Sequence, residues 1–490
     1  MKVNQIRAGV ILSYLAQVIS IFSGLIYTPI MLRLLGQSEY GLYQLSASVI
    51  SYLGVLNFGF ASGYLRIYFR YKQQNDNSAI ARLNGMYLII FTVISIATSI
   101  CGSILIQYAD VVFGNNLSPL ELIKAKKLMV IMIAGLITTF MSSVFDCYLS
   151  AYQQFVFQRG LQVVKAFLNP FICVPLLLQG YGSIGLAYVS FGLTLGCFLL
   201  SVWFCKKKIR MNFCFRGIEK SVFREVSSFT FYIFISSVVD KINLSLDNFL
   251  LGRLSGTISV AIYGVGSQIN GFYYMISTTV ASVFAPEINK IVASKEMSDQ
   301  KLTDYFINVS KPLFLTLAIV LLGFTFFGSW FVGFWAGAEY YNSYYVALIL
   351  MAGSFVSLVQ VLGIEIQKAK NMHKARSIAY FLIAIGNVAI SIPLIRYKTE
   401  IGASFGTFIA MFLGSGLFMN YYYQKFIHLN MKKYWKEMIK LLKYLILPIL
   451  IGLIYCCFDN NSTIFTLVFG GIFVLIFALE MFLYSPKNTV

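Results

Sequence analysis

The chain has 490 residues, of which 58% are hydrophobic and 12% are charged, and its mean hydropathy is +0.75. Soluble domains carry about twice that share of charge, so this much apolar surface requires lipid as the solvent. These values exclude a soluble enzyme, a disulfide scaffold and a disordered chain. The net charge of +19 would favour nucleic-acid binding in a soluble protein. In a membrane protein it more often reflects how charge is distributed among the loops.

Apolar windows of about 20 residues predict about fourteen transmembrane spans, and therefore an all-α polytopic membrane protein. The run that follows Lys2 and Arg7 is too long for the apolar part of a signal peptide, so we predict a retained first helix. The spans are predicted near 8–32, 42–65, 84–106, 128–150, 161–178, 184–204, 226–251, 258–283, 312–335, 344–366, 377–395, 401–424, 444–458 and 463–484.

Basic residues in the loops predict the orientation of these spans. With the N-terminus in the cytoplasm, about 29 lysines and arginines fall on the cytoplasmic side and about 7 on the outer side. Lys165 and Lys241 are the other two, and both lie inside spans. This bias predicts a multi-pass protein with both termini in the cytoplasm, and it explains the net charge without nucleic acid.

Motifs for catalysis and for cofactor binding are absent from the sequence. It contains no GxxxxGK[ST], HExxH or GxSxG motif and no CxxC pair, and the longest outer loop, near 107–127, is too short for a catalytic domain. The eight cysteines are predicted to be small packing residues. We therefore expect no enzyme activity, no cofactor and no metal site.

The sequence also contains an internal repeat. Segments 169–196 and 387–414 carry Asn, Pro and Gly at matching positions, 218 residues apart. Six spans separate the two copies, so both keep the same orientation, as in transporters built from parallel repeats. We predict two six-span lobes and a C-terminal helix pair, with boundaries at 1–210, 211–430 and 431–490.

Polar residues inside spans are costly in lipid and are functional candidates. In span 7, Asp240, Asn243 and Asp247 fall within about 60° on a helical wheel, and Lys241 adjoins them. This polar arc indicates either an ion-paired helix contact or the lining of a cavity that couples a cation or binds an anion. Asp146 and Lys165 in spans 4 and 5 allow the same two interpretations, since they are predicted at similar depth.

Span 8 is also polar for its depth, with Gln268, Asn270 and Tyr273. Amide and aromatic side chains suit sugar hydroxyls and pyranose faces. Helix packing, together with the usual enrichment of tyrosine at membrane interfaces, is the alternative interpretation.

Three segments, 26–71, 240–269 and 401–414, resemble bacterial polysaccharide-repeat-unit flippases of the multidrug/oligosaccharidyl-lipid/polysaccharide exporter superfamily. This resemblance implies a transporter of the bacterial plasma membrane that moves an undecaprenyl-pyrophosphate-linked oligosaccharide to the outer leaflet, for O-antigen, capsule or exopolysaccharide. It further implies alternating access between two lobes, coupling to H⁺ or Na⁺, and contact with membrane lipids and other polysaccharide-assembly proteins.

The resemblance and the polar spans together give two sets of candidate residues. The cavity candidates for substrate binding are Lys241, Lys165, Gln268, Asn270 and Tyr273. The ion-coupling candidates are Asp240, Asp247 and Asp146.

Two other functions fit the composition. A drug or cation antiporter of the same superfamily would suit a cavity rich in acids and aromatics. A membrane-embedded polymerase or ligase of lipid-linked glycans would also fit the composition, but such enzymes usually need a sizeable outer loop that this chain lacks.

Overall fold

A computed structural model describes residues 5–57, 60–217, 220–293, 298–370, 372, 374–458 and 462–484. These residues are helical apart from short connections, and none of them lies in a strand. Ten helical stretches within the described part are long and apolar enough to cross a membrane. The predicted fold, an all-α polytopic membrane protein, is confirmed.

The described residues form α-helices that we number in chain order. They are α1 Gln5–Leu53, α2 Phe60–Gln73, α3 Asn77–Gln107, α4 Ala109–Phe113, α5 Pro119–Ala151, α6 Phe155–Leu178, α7 Gly182–Lys207, α8 Lys220–Ser255, α9 Thr257–Ala293, α10 Asp299–Trp335, α11 Asn342–Val359, α12 Val361–Ala369, α13 Lys374–Met411, α14 Met419–Lys425, α15 Met431–Lys440, α16 Ile446–Cys457 and α17 Thr463–Tyr484.

Helix α1 contains predicted span 1 and the first part of span 2, because its backbone breaks at Gly36. A continuous helix of 49 residues would be about 74 Å long, more than twice the thickness of the bilayer core. At Gly36 φ is +73° and ψ is 171°, a conformation that only glycine adopts without strain. The break therefore separates predicted spans 1 and 2. Helix α13 has a similar break at Lys398 and Thr399, between spans 11 and 12.

Within the described residues, each of the fourteen predicted spans coincides with helix. Span 2 covers the end of α1, the 3-10 turn Gly54–Asn57 and the start of α2. Spans 3 to 9 fall on α3 and on α5 to α10, one helix for each span. Span 10 covers α11 and α12, and span 12 continues from α13 through the π-helical segment Phe412–Phe418 into α14. Spans 13 and 14 correspond to α16 and α17.

The chain divides into two compact units, Met1–Ala261 and Ile262–Val490, which we call the first and second units. In the first unit, α3 and α7 pack against α5, and α6 packs against α1. Tyr64 and Tyr87 are fully buried in an aromatic core, and the Tyr64 hydroxyl donates to Asn84 Oδ1 at 2.5 Å. Helix α8 lies in this unit, where Gly252 packs against Leu45.

The second unit has its own core. Phe306 of α10 stacks on Tyr434 of α15, with ring centroids 4.6 Å apart. The Ser277 hydroxyl donates to the Leu358 carbonyl oxygen at 2.6 Å, which joins α9 to α11. The Phe306–Tyr434 stack holds the amphipathic helix α15 against the spans of this unit.

Candidate functional site

The first unit contains a cavity of about 330 Å³ between α1, α5, α6 and α7. Its lining is mixed, with serine and threonine among apolar side chains, and it contains Lys165. Lys165 Nζ donates to Thr194 Oγ1 at 2.8 Å. None of the residues that line the cavity is acidic, so its lining carries one positive charge. We call this site the lysine cavity; its residues are Tyr43, Ala47, Ile50, Ser51, Ile131, Met132, Gly135, Leu136, Thr139, Lys165, Ala187, Ser190, Phe191 and Thr194.

Asp146 and Lys165 do not form an ion pair within the described part of the chain. Asp146 Oδ2 accepts a hydrogen bond from the Ser142 hydroxyl at 3.1 Å, one turn earlier on α5. Lys165 donates a hydrogen bond to the Thr194 hydroxyl instead. The alternative interpretation of these two residues, a structural ion pair that neutralises both, therefore does not describe this structure.

The polar face of α8 packs on the second half of α1. The Ser51 hydroxyl donates to Ser245 Oγ at 3.0 Å, and Asp247 is only 3% exposed. Lys241 is half-buried on the same helix. The side chain of Asp240 lies outside the described residues. Ser51 also lines the lysine cavity, so this contact connects α8 to the cavity wall.

The candidates on α9 lie in the second unit. Asn270 Oδ1 accepts a hydrogen bond from the Ser354 hydroxyl at 3.3 Å. Tyr273 is 2% exposed, and its hydroxyl donates to the Leu317 carbonyl oxygen at 3.1 Å. Gln268 is half-buried. The structure therefore places Lys165, Asp146, Lys241 and Asp247 in one unit and the three span 8 candidates in the other.

A carboxylate that sequence reasoning missed joins three connections on the predicted outer side. Glu121 Oε1 accepts hydrogen bonds from the hydroxyls of Ser38, at 2.7 Å, and Thr257, at 3.1 Å. Glu121 Oε2 accepts from the backbone N–H of Ser118, which completes a capping box at the start of α5. One side chain thus holds the turn inside α1, the start of α5 and the α8–α9 connection together.

Close backbone packing accompanies these hydrogen bonds. A Cβ atom on Gly41 would lie 1.9 Å from the Thr257 carbonyl oxygen, so only glycine fits at this contact. Asn116 Nδ2 donates to the Arg253 carbonyl oxygen at 2.5 Å. We call this set of contacts the outer seal; its residues are Ser38, Gly41, Asn116, Glu121, Arg253 and Thr257.

The predicted cytoplasmic end of α8 is held by an ion pair. Arg70 of α2 donates to both carboxylate oxygens of Glu225, at 2.9 and 2.6 Å, and Arg66 lies 3.8 Å from the same group. Glu225 precedes the predicted span by one residue. Hydrogen bonding to Arg70 lowers the pKa of Glu225 below its usual range. Contacts at both ends of α8 therefore fix it to α1 and α2.

Because the pKa of Glu225 is lowered in the folded protein, its contribution to stability is complete above the ordinary glutamate pKa of about 4.3. It is lost as the pH falls through the lowered value. We expect the melting temperatures of the wild type and Glu225→Gln to differ by a constant amount between pH 6 and 8 and to converge below pH ~4. Thermal unfolding across this range is the measurement, and a difference that changes between pH 6 and 8 would contradict the assignment.

Comparison with known proteins identifies the family. Residues 6–292, more than half of the chain, match the model of a family described as "Polysaccharide biosynthesis protein". The chain belongs to this family. Membership confirms the resemblance predicted from segments 26–71 and 240–269.

One relative and two solved structures are similar to this chain. It is 19% identical to a Shigella flexneri protein described as an O-antigen transporter, over 78% of this chain and 89% of the relative. Its fold is similar to that of the lipid II flippase MurJ in an inward closed conformation, with a TM-score of 0.75, 17% identity and 97% and 98% of the two chains covered. An inward-facing multidrug resistance MATE family transporter of the MOP superfamily gives a TM-score of 0.57, with 15% identity and 83% and 97% covered.

Proposed function

We propose that this chain translocates an undecaprenyl-pyrophosphate-linked oligosaccharide repeat unit across the bacterial plasma membrane by alternating access. Family membership and the O-antigen transporter relative support the substrate class. In this proposal the two six-span lobes, 1–210 and 211–430, expose the substrate first to the cytoplasm and then to the outer side. Both termini lie in the cytoplasm.

The lysine cavity is the observation that carries the proposal. Lys165 lines a cavity of about 330 Å³ inside a helical bundle. A positive charge in such a place costs folding free energy unless an anion balances it. That volume equals roughly ten water molecules, enough for a hydrated pyrophosphate and less than a whole oligosaccharide needs. Lys165 therefore binds the pyrophosphate, and Lys241 is proposed as a second cation on the polar face of α8.

The span 8 candidates are proposed to contact the glycan. Gln268 and Asn270 are half-buried amides that can donate to and accept from sugar hydroxyls. The Tyr273 hydroxyl already donates to the Leu317 carbonyl oxygen. Its main proposed role is therefore to hold α9 in position, and a contact with the sugar is secondary.

The outer seal suits the closed state of such a cycle. Glu121, Gly41 and Asn116 contact the α8–α9 connection, which must separate from α1 and α5 when the outer side opens. Polar hydrogen bonds that can be exchanged for water make this separation reversible. The Arg70–Glu225 pair at the other end of α8 is half-exposed and can break in the same way.

Ion coupling is proposed at Asp247, with Asp240 and Asp146 as further acids. A carboxylate that is 3% exposed beside a helix contact binds H⁺ or Na⁺ differently when the contact opens, and this difference biases the two states. We expect Asp247→Asn to make transport independent of the ion gradient and to slow it about 5- to 150-fold, the range of a typical coupling energy. The measurement is surface glycan as a function of external pH and sodium.

The matched control for Asp247→Asn is Asp110→Asn, which removes an exposed carboxylate from α4. It should leave both the rate and the ion dependence unchanged. If Asp247→Asn and Lys241→Ala both leave glycan display unchanged at normal expression, the site assignment on α8 is wrong.

Deletion of the chromosomal copy tests the function itself. We expect loss of surface polysaccharide and accumulation of lipid-linked repeat units, both restored by the wild-type chain. The MATE-like fold keeps drug or cation antiport as the second candidate. Unchanged surface glycan together with lost dye resistance would favour the antiporter, and extension of glycans by the purified protein would favour a polymerase.

A further inference from the structure

The second unit contains a pocket of about 540 Å³ where the spans end on the predicted cytoplasmic side. It lies between α11, the π-helical segment Phe412–Phe418, α14 and α15, and we call it the interfacial pocket. A π-helical turn widens a helix locally and is frequent at functional sites. The lining residues are Val356, Phe412, Gly416, Leu417, Asn420, Tyr421, Gln424, Met431, Lys432 and Trp435.

The body of the pocket is apolar and has room for a hydrocarbon chain. Phe412, Leu417 and Trp435 form its walls. Gly416 adds no side chain to these walls, and a Cβ atom there would make only ordinary van der Waals contact, 3.8 Å from a Phe412 ring carbon. A chain of methylene groups is therefore the ligand that this part of the pocket fits.

The rim of the pocket presents hydrogen-bond donors, because its acceptors are already engaged. Asn420 Oδ1 accepts from Trp435 Nε1 at 2.6 Å and from Gln360 Nε2 at 2.9 Å. Gln424 Oε1 accepts from the backbone N–H of Met431 at 2.8 Å. The groups left for a ligand are the Lys432 ammonium, the Gln424 amide nitrogen and the hydroxyl hydrogen of Tyr421, whose oxygen accepts from Lys425 Nζ at 2.8 Å. No lining residue is acidic, so the rim favours an anion.

Helix α15 carries this charge along the membrane surface. Its buried face includes Tyr434 and Met438, and its exposed face is basic. Glu437 is neutralised by Lys311 and Lys440, and Asp304 by Lys433. Lys432 and Lys436 remain exposed on the same face. A basic amphipathic helix of this kind is attracted to anionic lipids.

We infer that the interfacial pocket binds an anionic membrane phospholipid, with one acyl chain against Phe412, Gly416 and Leu417 and the phosphate at Lys432. This inference goes beyond the proposed transport function and does not depend on it. The bound lipid fills the space between α15 and the spans and fixes the helix to the membrane surface.

Native mass spectrometry of the purified full-length protein tests this inference, with dioleoylphosphatidylglycerol as the anionic probe and dioleoylphosphatidylcholine as the zwitterionic one. We expect the phosphatidylglycerol adduct to be retained more strongly. Lys432→Ala should reduce its occupancy about 5-fold, the usual effect of losing one basic residue near anionic lipid. Gly416→Leu, which places a side chain in the acyl site, should reduce the adducts of both lipids.

The matched control is Lys436→Ala, which removes the same charge from the same helix outside the pocket. Its occupancy should stay within about 2-fold of the wild type, since only a diffuse electrostatic effect is lost. Equal losses in Lys432→Ala and Lys436→Ala, or equal retention of the two lipids, would overturn the inference. Displacement of phosphatidylglycerol by an equal concentration of undecaprenyl phosphate would also overturn it and assign the pocket to the transported substrate.

Discussion

Gly41→Ala is expected to keep the outer seal apart and to slow transport about 5- to 150-fold. The added methyl carbon would lie 1.9 Å from the Thr257 carbonyl oxygen and 2.7 Å from its carbonyl carbon. Both atoms belong to the backbone, so no side-chain rotation relieves the contact. Overpacking of this kind costs about 1–3 kcal/mol, which corresponds to the stated range. In the proposed transport cycle this contact exists only while the outer seal is closed, so we expect the variant to favour the state that is open to the outer side.

The opening is measured by labelling a cysteine at Ser51, which lines the lysine cavity, in a background without the native cysteines. A membrane-impermeant thiol reagent added outside should label Ser51→Cys faster when Gly41→Ala is present. Gly192→Ala is the matched control, because a Cβ atom there meets nothing within 4 Å. Equal labelling rates in the two backgrounds, with normal transport in both, would contradict the outer seal.

Lys165→Ala is expected to slow transport at least about 30-fold without loss of stability. The ammonium group would no longer balance the pyrophosphate in a site of low dielectric, and losing one partner of a buried charge pair costs about 2–5 kcal/mol. The folded protein is relieved of a half-buried charge, so its melting temperature should not fall. Initial rates of glycan transfer and thermal unfolding measure the two effects.

Two variants separate the charge of Lys165 from its position. Thr194→Val removes the hydroxyl that Lys165 contacts at 2.8 Å but keeps the ammonium, and we expect a smaller loss of about 5-fold. Lys206→Ala removes an exposed lysine at the end of α7 and should have no effect. A full rate for Lys165→Ala, or losses of similar size in all three variants, would show that the lysine cavity does not hold the anion.

Much of the fold follows from local properties of the sequence. Apolar windows of bilayer length placed the fourteen predicted spans on helices, because each span must satisfy its own backbone hydrogen bonds in lipid. Gly36 marks the break between spans 1 and 2, and its left-handed φ explains why glycine occurs there. The continuation of span 12 through Phe412–Phe418 as a π-helix could not be predicted, because it depends on packing: a Cβ atom on Gly414 would collide with Ile383.

The sequence predicted site residues only where a single residue was unusual for its position. A rare charge inside a span is visible in the sequence, whereas the partners of that charge lie on other helices. Lys165 stood out as a deep cation, but its contact with Thr194 joins residues 29 apart in the chain. The outer seal joins Glu121 to Thr257 across 136 residues. Its local signal is the capping box formed by Ser118 and Glu121, which indicates a helix start and gives no hint of distant partners.

Transfer of a labelled substrate between leaflets tests the proposed function most directly. The purified chain is reconstituted in vesicles that carry an undecaprenyl-pyrophosphate-linked oligosaccharide with a fluorescent label on the glycan in both leaflets, and a membrane-impermeant quencher is added outside. We predict that wild-type vesicles lose the fluorescence of both leaflets, that Lys165→Ala vesicles keep that of the inner leaflet over the same time, and that the glycan keeps its mass. Inner-leaflet fluorescence that persists with the wild type, or a glycan that grows longer, would contradict the proposal.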